Sequence, residues 1–125
     1  MKGVEMNYRE FIIEIRSKTD FLSDIRADLQ RIEAGTKEEE PVERVYFESI
    51  DAANRILTPK RVELLRRLHD NGPLNTHELA KLLERDYKNV RQDVLSLEEI
   101  GLVTRKGRDL SAPWGKITME LKMAA

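Results

Sequence analysis

Four side chains of the kind that read DNA stand together at the start of one stretch, DYKNVRQDVLSLEEIGLV. They are Lys88, Asn89, Arg91 and Gln92. Lys and Arg pair with O6 and N7 of guanine, while Asn and Gln pair with N6 and N7 of adenine. Because the major groove of B-DNA admits one α-helix, the stretch predicts a recognition helix over about residues 87–100.

The same stretch has an apolar stripe that would hold the helix against a core. Its members are Val90, Val94, Leu97 and Ile100, at helical spacing. The four polar side chains lie opposite this stripe, so their alternative role is a solvated helix face. Asp93 would repel phosphate, and we expect it to face a Lys, an Arg or water.

Further DNA-contact candidates flank the helix. Tyr87 could stack or bond a phosphate, and Thr76 and His77 begin the preceding helix, where the N-terminal dipole favours phosphate. A basic cluster follows, composed of Arg105, Lys106, Arg108 and Lys116. These cations predict contact with the DNA backbone or the adjacent minor groove.

A short helix is predicted over Ile50–Leu57, and two further helices follow it before the recognition helix. In the first, Thr58 is the cap, Pro59 takes the first helical position, and Asn71-Gly72-Pro73 is the stop. The second begins with Asn75 and Glu78 as a capping box. The break Glu84-Arg85-Asp86 then leads into the recognition helix, which is the order of a helix-turn-helix.

After Gly101 the apolar period changes from that of a helix to that of a strand. Leu102–Lys106 and Lys116–Leu121 are predicted strands, joined by the loop KGRDLSAPWG into a hairpin, or wing, over about residues 102–121. Val45–Glu48 is predicted to pair beside these strands in a three-stranded sheet. Trp114 is expected to pack at the base of the hairpin rather than insert into a groove.

The N-terminal segment reads as one long helix over about residues 7–34. A heptad seam starts at Tyr8, with Lys18 as its polar interruption, and predicts a dimerising coiled coil. Its predicted dimerisation residues are Phe11, Ile15, Leu22, Ile25, Leu29 and Ile32. Two alternatives stay open: the helix packs on its own domain, or Thr19-Asp20 divides it in two.

The charge pattern and a linker divide the chain. Residues 1–57 carry 9 Lys and Arg against 13 Asp and Glu, whereas residues 58–125 carry 13 against 10. The linker AGTKEEEP (34–41) separates a segment for dimerisation or partner binding, residues 1–40, from a DNA-binding domain, residues 41–125. The weakly basic C-terminal half suits a polyanionic partner.

Composition excludes several classes of function. With 40% hydrophobic and 36% charged residues, the chain has no run near the ~20 apolar residues of a membrane span. The absence of cysteine fits a cytoplasmic protein and excludes a thiolate nucleophile or metal site. His69 and His77 have no partners at metal-ligand spacing, and no nucleophile motif or phosphate-binding glycine loop occurs. The expectation is therefore a non-enzyme with no cofactor, no metal and no small-molecule substrate.

Residues of about 44–122 resemble a family of small MarR-like winged-helix proteins of archaea and bacteria, predicted transcriptional regulators. The resemblance rests on FES, LTPKRVELLRRLHDNGPLNTHELAKLL, RDYKNVRQDVLSLEEIGLV and ITMEL. Glu84 departs from the pattern of winged helices, which frequently have Gly in that turn. Members often look like the antitoxin of a toxin–antitoxin pair, which implies an autorepressor that also binds a toxin protein.

The predicted fold class is thus mainly α with a small β-sheet (α+β), a winged helix-turn-helix with an N-terminal long helix. The predicted function is sequence-specific binding of double-stranded operator DNA by a dimeric, cytoplasmic transcriptional repressor. The alternative is a winged helix used only for contact with another protein, which would keep the fold and lose the basic surface.

Overall fold

The computed structural model describes residues 9–16, 22, 25–27, 29–30 and 43–123, which form an α+β chain. Its contacts divide the chain into two compact units, Met1–Ala53 with Lys116–Ala125, and Asn54–Gly115. The predicted boundary at residue 40 stays a prediction; the N-terminal strand and the residues from Lys116 onward belong to the same unit.

The first unit is built on a three-stranded sheet of order β2-β1-β5, in which β1 is Arg9–Ile15, β2 is Glu43–Phe47 and β5 is Trp114–Leu121. The strands β1 and β2 are parallel, and Ile13 is the partner of Val45. The predicted strand at 45–48 is confirmed. It lies in one three-stranded sheet with Lys116–Leu121, the second predicted wing strand, but its direct neighbour is β1, and the first predicted wing strand, Leu102–Lys106, does not join this sheet.

The predicted N-terminal helix is wrong for residues 9–15, which form the central strand β1. Phe11, Ile12, Ile13 and Ile15 are all at most 9% exposed, so the strand is buried on both faces. A continuous apolar run rich in β-branched residues favours such a strand over an amphipathic helix. Phe11 and Ile15 therefore belong to the core of the sheet and not to a coiled-coil seam.

Helical structure does occur further along the N-terminal segment, at residues 22, 25–27 and 29–30. Leu22, Ile25 and Leu29 are exposed there by 56%, 38% and 55%. Their role in dimerisation stays a prediction. The remaining seam positions, Tyr8, Lys18 and Ile32, lie outside the described residues.

A charged network lies on one face of the sheet. Glu14 in β1 is only 2% exposed, and it contacts Arg44 of β2 and the Nε atom of Arg16 at 2.8 Å. Arg44 also reaches Glu120 of β5 at 3.3 Å. Partial burial favours the neutral form of Arg44, but its hydrogen bond to Glu14 and the nearby negative charges outweigh this and raise the pKa of Arg44.

The helices are α1 (Ile50–Ile56), α2 (Pro59–Asn71), α3 (Thr76–Leu83) and α4 (Tyr87–Glu99). The predicted caps are confirmed. Thr58 accepts a hydrogen bond from the Arg61 amide, and Asn75 and Glu78 form the reciprocal capping box. Because each cap satisfies an otherwise free amide, these residues fix where the helices begin.

The break between α3 and α4 is a tight turn through a left-handed residue. Glu84 has φ 55° and ψ 46°, and its amide donates to the carbonyl oxygen of Lys81 at 3.1 Å. The next amide, of Arg85, donates to Ala80 at 3.0 Å. Glycine adopts this conformation without the Cβ clash that Glu84 incurs. This explains why winged helices frequently have Gly at the position that Glu84 takes here.

The hairpin that follows α4 is shorter than predicted. It consists of β3 (Thr104–Lys106) and β4 (Asp109–Ser111), antiparallel, with Gly107 and Arg108 as the two-residue loop. Gly107 has φ +64°, which suits the first loop position of a type II′ turn. Lys116–Leu121 is a strand as predicted, but it belongs to β5 and not to the hairpin.

Hydrogen bonds tie the hairpin to the helices of the second unit. Leu74, which precedes α3, forms a two-way backbone bridge with Leu110 of β4 at 3.1 and 2.8 Å. The Trp114 indole donates to the carbonyl oxygen of Leu102 at 2.8 Å, and this side chain is 5% exposed. Trp114 therefore packs at the base of the hairpin, as predicted. No helix in the described part of the chain is long and apolar enough to cross a membrane.

Candidate nucleic-acid interface

The outer face of α4 presents the four side chains singled out by their chemistry. Lys88, Asn89, Arg91 and Gln92 are all exposed. The apolar stripe opposite them is buried, with Val90, Val94 and Leu97 at most 1% exposed. Since the stripe fixes how the helix is rotated, the four polar side chains form one outward surface. Asp86 caps this helix by accepting from the Lys88 amide at 3.1 Å.

The N-termini of α3 and α4 meet through two aromatic rings. The rings of His77 and Tyr87 stack, with centroids 4.2 Å apart and planes inclined by 14°. Both side chains are exposed, and Thr76 beside them is half-buried. Three predicted contact residues from two helices thus lie together, and the stack limits the rotation of the Tyr87 ring.

Arg105 on β3 is engaged by a carboxylate of α4. Its Nε and Nη2 atoms donate to the two carboxylate oxygens of Glu98, each at 2.9 Å. This hydrogen bond, opposed by partial burial, lowers the pKa of Glu98 and raises that of Arg105. Electrostatic interactions with Glu98 and, to a smaller extent, Tyr87 add to the rise in the pKa of Arg105. Arg105 therefore ties the hairpin to α4, and it must leave Glu98 before it can make a bidentate contact with phosphate.

Two cations of the basic cluster lie at the tip of the hairpin. Lys106 and Arg108 are exposed on either side of Gly107. Lys116, the fourth predicted member, lies on β5, and the part of that strand from Lys116 onward belongs to the other compact unit. Of the four predicted wing cations, Lys106 and Arg108 thus lie at the hairpin tip and Arg105 is paired with Glu98. The role of Lys116 in DNA contact stays a prediction.

Asp93 binds two arginines from other elements, as the sequence indicated. Its carboxylate accepts from Arg61 Nε at 2.9 Å and from Arg85 Nη2 at 2.8 Å. The three side chains are between 14% and 20% exposed. Arg61 also donates to the carbonyl oxygen of Ile56. This cluster joins α4 to the start of α2 and to the turn after α3, so it fixes the direction in which α4 leaves the turn.

One residue of the outer face was missed by sequence reasoning. Leu95 is 42% exposed and follows Arg91 by one helical turn. It lies off the apolar stripe, which was the available signal. An apolar side chain among groove-facing polar residues can contact the C5-methyl group of thymine.

His69 has a structural contact instead of a metal-binding one. Its Nδ1 atom lies 2.7 Å from the carbonyl oxygen of Ala112, and since a carbonyl only accepts, this nitrogen carries the proton. Within the described ranges, no three His, Asp or Glu side chains converge on a common point that could hold a metal ion.

Comparison with protein families gives one match, to the family described as HVO_A0114, over residues 56–119. This span covers half of the chain. The chain belongs to the HVO_A0114 family. The matched residues include α2, α3, α4, the hairpin and Lys116, and thus every residue of the surface described above. No curated protein matches the chain.

The HVO_A0114 match leaves out β1 and β2 of the first unit. It ends within β5, before Leu121. The description of the HVO_A0114 family states no activity.

Proposed function

We propose that residues 54–115 form a winged helix-turn-helix that binds double-stranded DNA, with α4 in the major groove and the β3–β4 hairpin as the wing. The observation that carries the proposal is the outer face of α4. It combines exposed Lys88, Asn89, Arg91 and Gln92 with the buried Val90, Val94 and Leu97 of the apolar stripe opposite them. This arrangement offers donors and acceptors for both purines in one rigid helix.

The neighbouring elements supply contacts to the DNA backbone in this proposal. Lys106 and Arg108 at the hairpin tip would reach phosphate beside the groove occupied by α4. The stacked His77 and Tyr87 lie at the N-termini of α3 and α4, respectively, where free amides and the helix dipole attract an anion. Such contacts fix the register of the protein on the duplex, and the α4 side chains then select the sequence.

The protein would act as a dimeric transcriptional repressor in the cytoplasm, in line with its resemblance to MarR-like regulators. Two α4 helices would occupy half-sites about 34 Å, or ~10 base pairs, apart along the duplex or at a multiple of that spacing. The same resemblance supports an antitoxin-type role in which a toxin protein is the second partner. The proposal includes no catalytic step, cofactor or small-molecule effector.

A matched pair of arginine substitutions tests the proposal. Duplexes selected from a random pool are titrated with the wild type, Arg91→Ala and Arg66→Ala, and binding is followed by fluorescence anisotropy. Both variants lose one exposed positive charge from the same unit, but Arg66 lies on α2. We expect Arg91→Ala to bind the selected duplex about tenfold more weakly or worse, since one bidentate base contact contributes ~1–3 kcal/mol.

Arg66→Ala should bind within about twofold of the wild type, because it removes only long-range attraction. Equal losses from the two variants would mean that binding depends on net charge and not on the face of α4. Lys106→Ala should weaken binding to all duplexes alike and lower the salt slope by about 1.

The second candidate is a winged helix that binds a protein, and two observations favour it. Arg105 is neutralised by Glu98, and Leu95 and Glu99 are exposed on the same helix, which weakens the positive character of its C-terminal half. Under this alternative no duplex would be selected from the random pool, while Leu95→Ala would reduce binding to a protein partner.

A further inference from the structure

The outer edge of β5 in the first unit presents an open strand with alternating apolar side chains. The strand ends the sheet order β2-β1-β5, and among the described residues no strand pairs with its other side. Ile117, Met119 and Leu121 are exposed by 39%, 45% and 54%, and Met123 beyond them by 78%. An edge of this kind is a template for a further strand.

Alternate residues of β5 direct their backbone amides and carbonyls away from β1, where a partner strand could bind. The Lys122 amide donates to the carbonyl oxygen of Ile15 at 2.9 Å, so the backbone of Lys122 faces β1. Backbone direction alternates along a strand, and Thr118 and Glu120 therefore face β1 as well. The amides and carbonyls of the odd-numbered residues of β5 point to the open edge.

The side chains of the even-numbered residues are held within the sheet. Thr118 donates to Glu10 of β1 at 2.7 Å, and Glu120 contacts Arg44 of β2. By strand alternation, Ile117, Met119 and Leu121 lie on the opposite face. The exposed apolar row is therefore separate from the charged network, and pairing along the edge leaves that network in place.

We propose that two copies of this chain pair β5 with β5 in antiparallel orientation, about a two-fold axis at Thr118. This register places Lys116 of each copy opposite Glu120 of the other, so two complementary pairs form. It also places Ile117 opposite Met119 of the second copy, and joins the two three-stranded sheets into one. Cross-strand pairs of opposite charge and of apolar side chains stabilise a sheet.

Charge decides between this register and its nearest competitor. An axis at Met119 would place Lys116 opposite Lys122 of the second copy, twice, and like charges directly opposite each other destabilise a sheet. Lys residues on an edge strand usually prevent edge-to-edge association. Here the register at Thr118 gives Lys116 a carboxylate partner. It favours a closed dimer, because an isologous interface pairs the β5 edge of one copy with the β5 edge of the other and leaves neither of these two edges open.

The inference does not depend on DNA binding and stands if the proposed function fails. It also moves dimerisation away from the N-terminal heptad, which has lost Phe11 and Ile15 to the interior of β1.

A single cysteine at the proposed axis provides the first test. The native chain has no cysteine, so Thr118→Cys introduces one thiol per copy. Residues opposite each other at such a non-hydrogen-bonded position have Cα atoms about 4.5 Å apart, within the range that a disulfide spans. We expect mild oxidation to convert the full-length Thr118→Cys protein to a covalent dimer. The control Ser49→Cys, exposed in the same unit but far along the sequence, should stay mainly monomeric on a non-reducing gel.

Charge reversal provides the second test, read by sedimentation equilibrium. Lys116→Glu should raise the dimer dissociation constant by about tenfold or more, since two opposite-charge pairs become two like-charge pairs. Lys122→Glu should leave it nearly unchanged. If the axis lay at Met119, both substitutions would tighten the dimer instead.

Two outcomes overturn the inference. One is a wild type that stays monomeric across the micromolar range, with no cross-link at Thr118→Cys. The other is a dimer that forms no such cross-link and is insensitive to Lys116→Glu, which would place the interface elsewhere, for example on exposed Leu22, Ile25 and Leu29.

Discussion

Replacing Asp93 by Asn should destabilise the second unit strongly, although the shape of the side chain is kept. The carboxylate accepts one hydrogen bond from Arg61 and one from Arg85, at 2.9 and 2.8 Å, and is 14% exposed. Asn retains one acceptor oxygen but turns an N–H group toward the second guanidinium. One charged hydrogen bond is lost, at ~1.5–3 kcal/mol. Both cations also lose their counter-charge in a partly buried site.

The expected loss of unfolding free energy is about 3 kcal/mol, near the lower end of what removing one partner of a buried pair costs. The lower end applies because both arginines are 15–20% exposed and can turn toward water. Urea unfolding at pH 7, followed by the fluorescence of Trp114, measures it. Asp70→Asn, at an exposed position of α2, is the control and should change stability by less than ~0.5 kcal/mol.

A loss below about 1 kcal/mol for Asp93→Asn, or one equal to the control, would refute the reasoning that this cluster holds α4. A double-mutant cycle sharpens the test. The losses for Asp93→Asn and Arg61→Met should add to more than the loss of the double variant, because both single changes break the same contact.

Three further predictions follow from single contacts. Glu84→Gly should raise the unfolding free energy by about 1 kcal/mol in urea titrations, since glycine relieves the left-handed conformation at φ 55°. Glu98→Gln should be less stable than the wild type at pH 7. Arg105 holds the pKa of Glu98 below its ordinary 4.5, so the carboxylate stabilises the fold above pH 4.5. The difference in stability between the two proteins should vanish as the pH falls through the lowered pKa. Glu98→Gln should also bind DNA more tightly, as Arg105 is released. If Leu95 contacts the methyl group of one thymine, replacing that thymine by uracil in the selected duplex should weaken binding by the wild type. The same replacement should leave binding by Leu95→Ala unchanged, and anisotropy measures both affinities.

The helices of the second unit could be predicted from sequence because their signals are local. Thr58 with Pro59, and Asn75 with Glu78, satisfy amides within one turn, so their effect on helix start does not depend on the rest of the chain. The apolar stripe of α4 likewise determined which side is buried. The candidate surface on α4 followed directly from these two local features.

The sheet of the first unit could not be predicted in the same way, because its pairing is long-range. The heptad register used Phe11 and Ile15 and passed over Ile12 and Ile13, although the unbroken apolar run Phe11-Ile12-Ile13 is typical of a central strand. Once β1 was read as a helix, β5 had no partner except the hairpin. The alternation of Ile117, Met119 and Leu121 identified a strand but not its neighbour.

In the candidate site, the sequence predicts which side chains could contact DNA, but it does not show which residues pair with one another. The pairing of Arg105 with Glu98 joins residues from two elements, and only the fold brings them within 2.9 Å. The turn at Gly107 was hidden because β3 and β4 are only three residues each, too short for a periodic pattern. Lys116 was consequently assigned to the wrong element.

The central claim is that the face of α4 recognises a DNA sequence, and one titration tests it most directly. The wild-type protein is titrated by fluorescence anisotropy against the duplex upstream of its own gene and against a scrambled duplex of the same composition, over a salt series. We expect a preference of about 10³-fold or more for the upstream duplex, with a log–log salt slope of several units. Equal binding to both duplexes, or binding to neither near physiological salt, would contradict it.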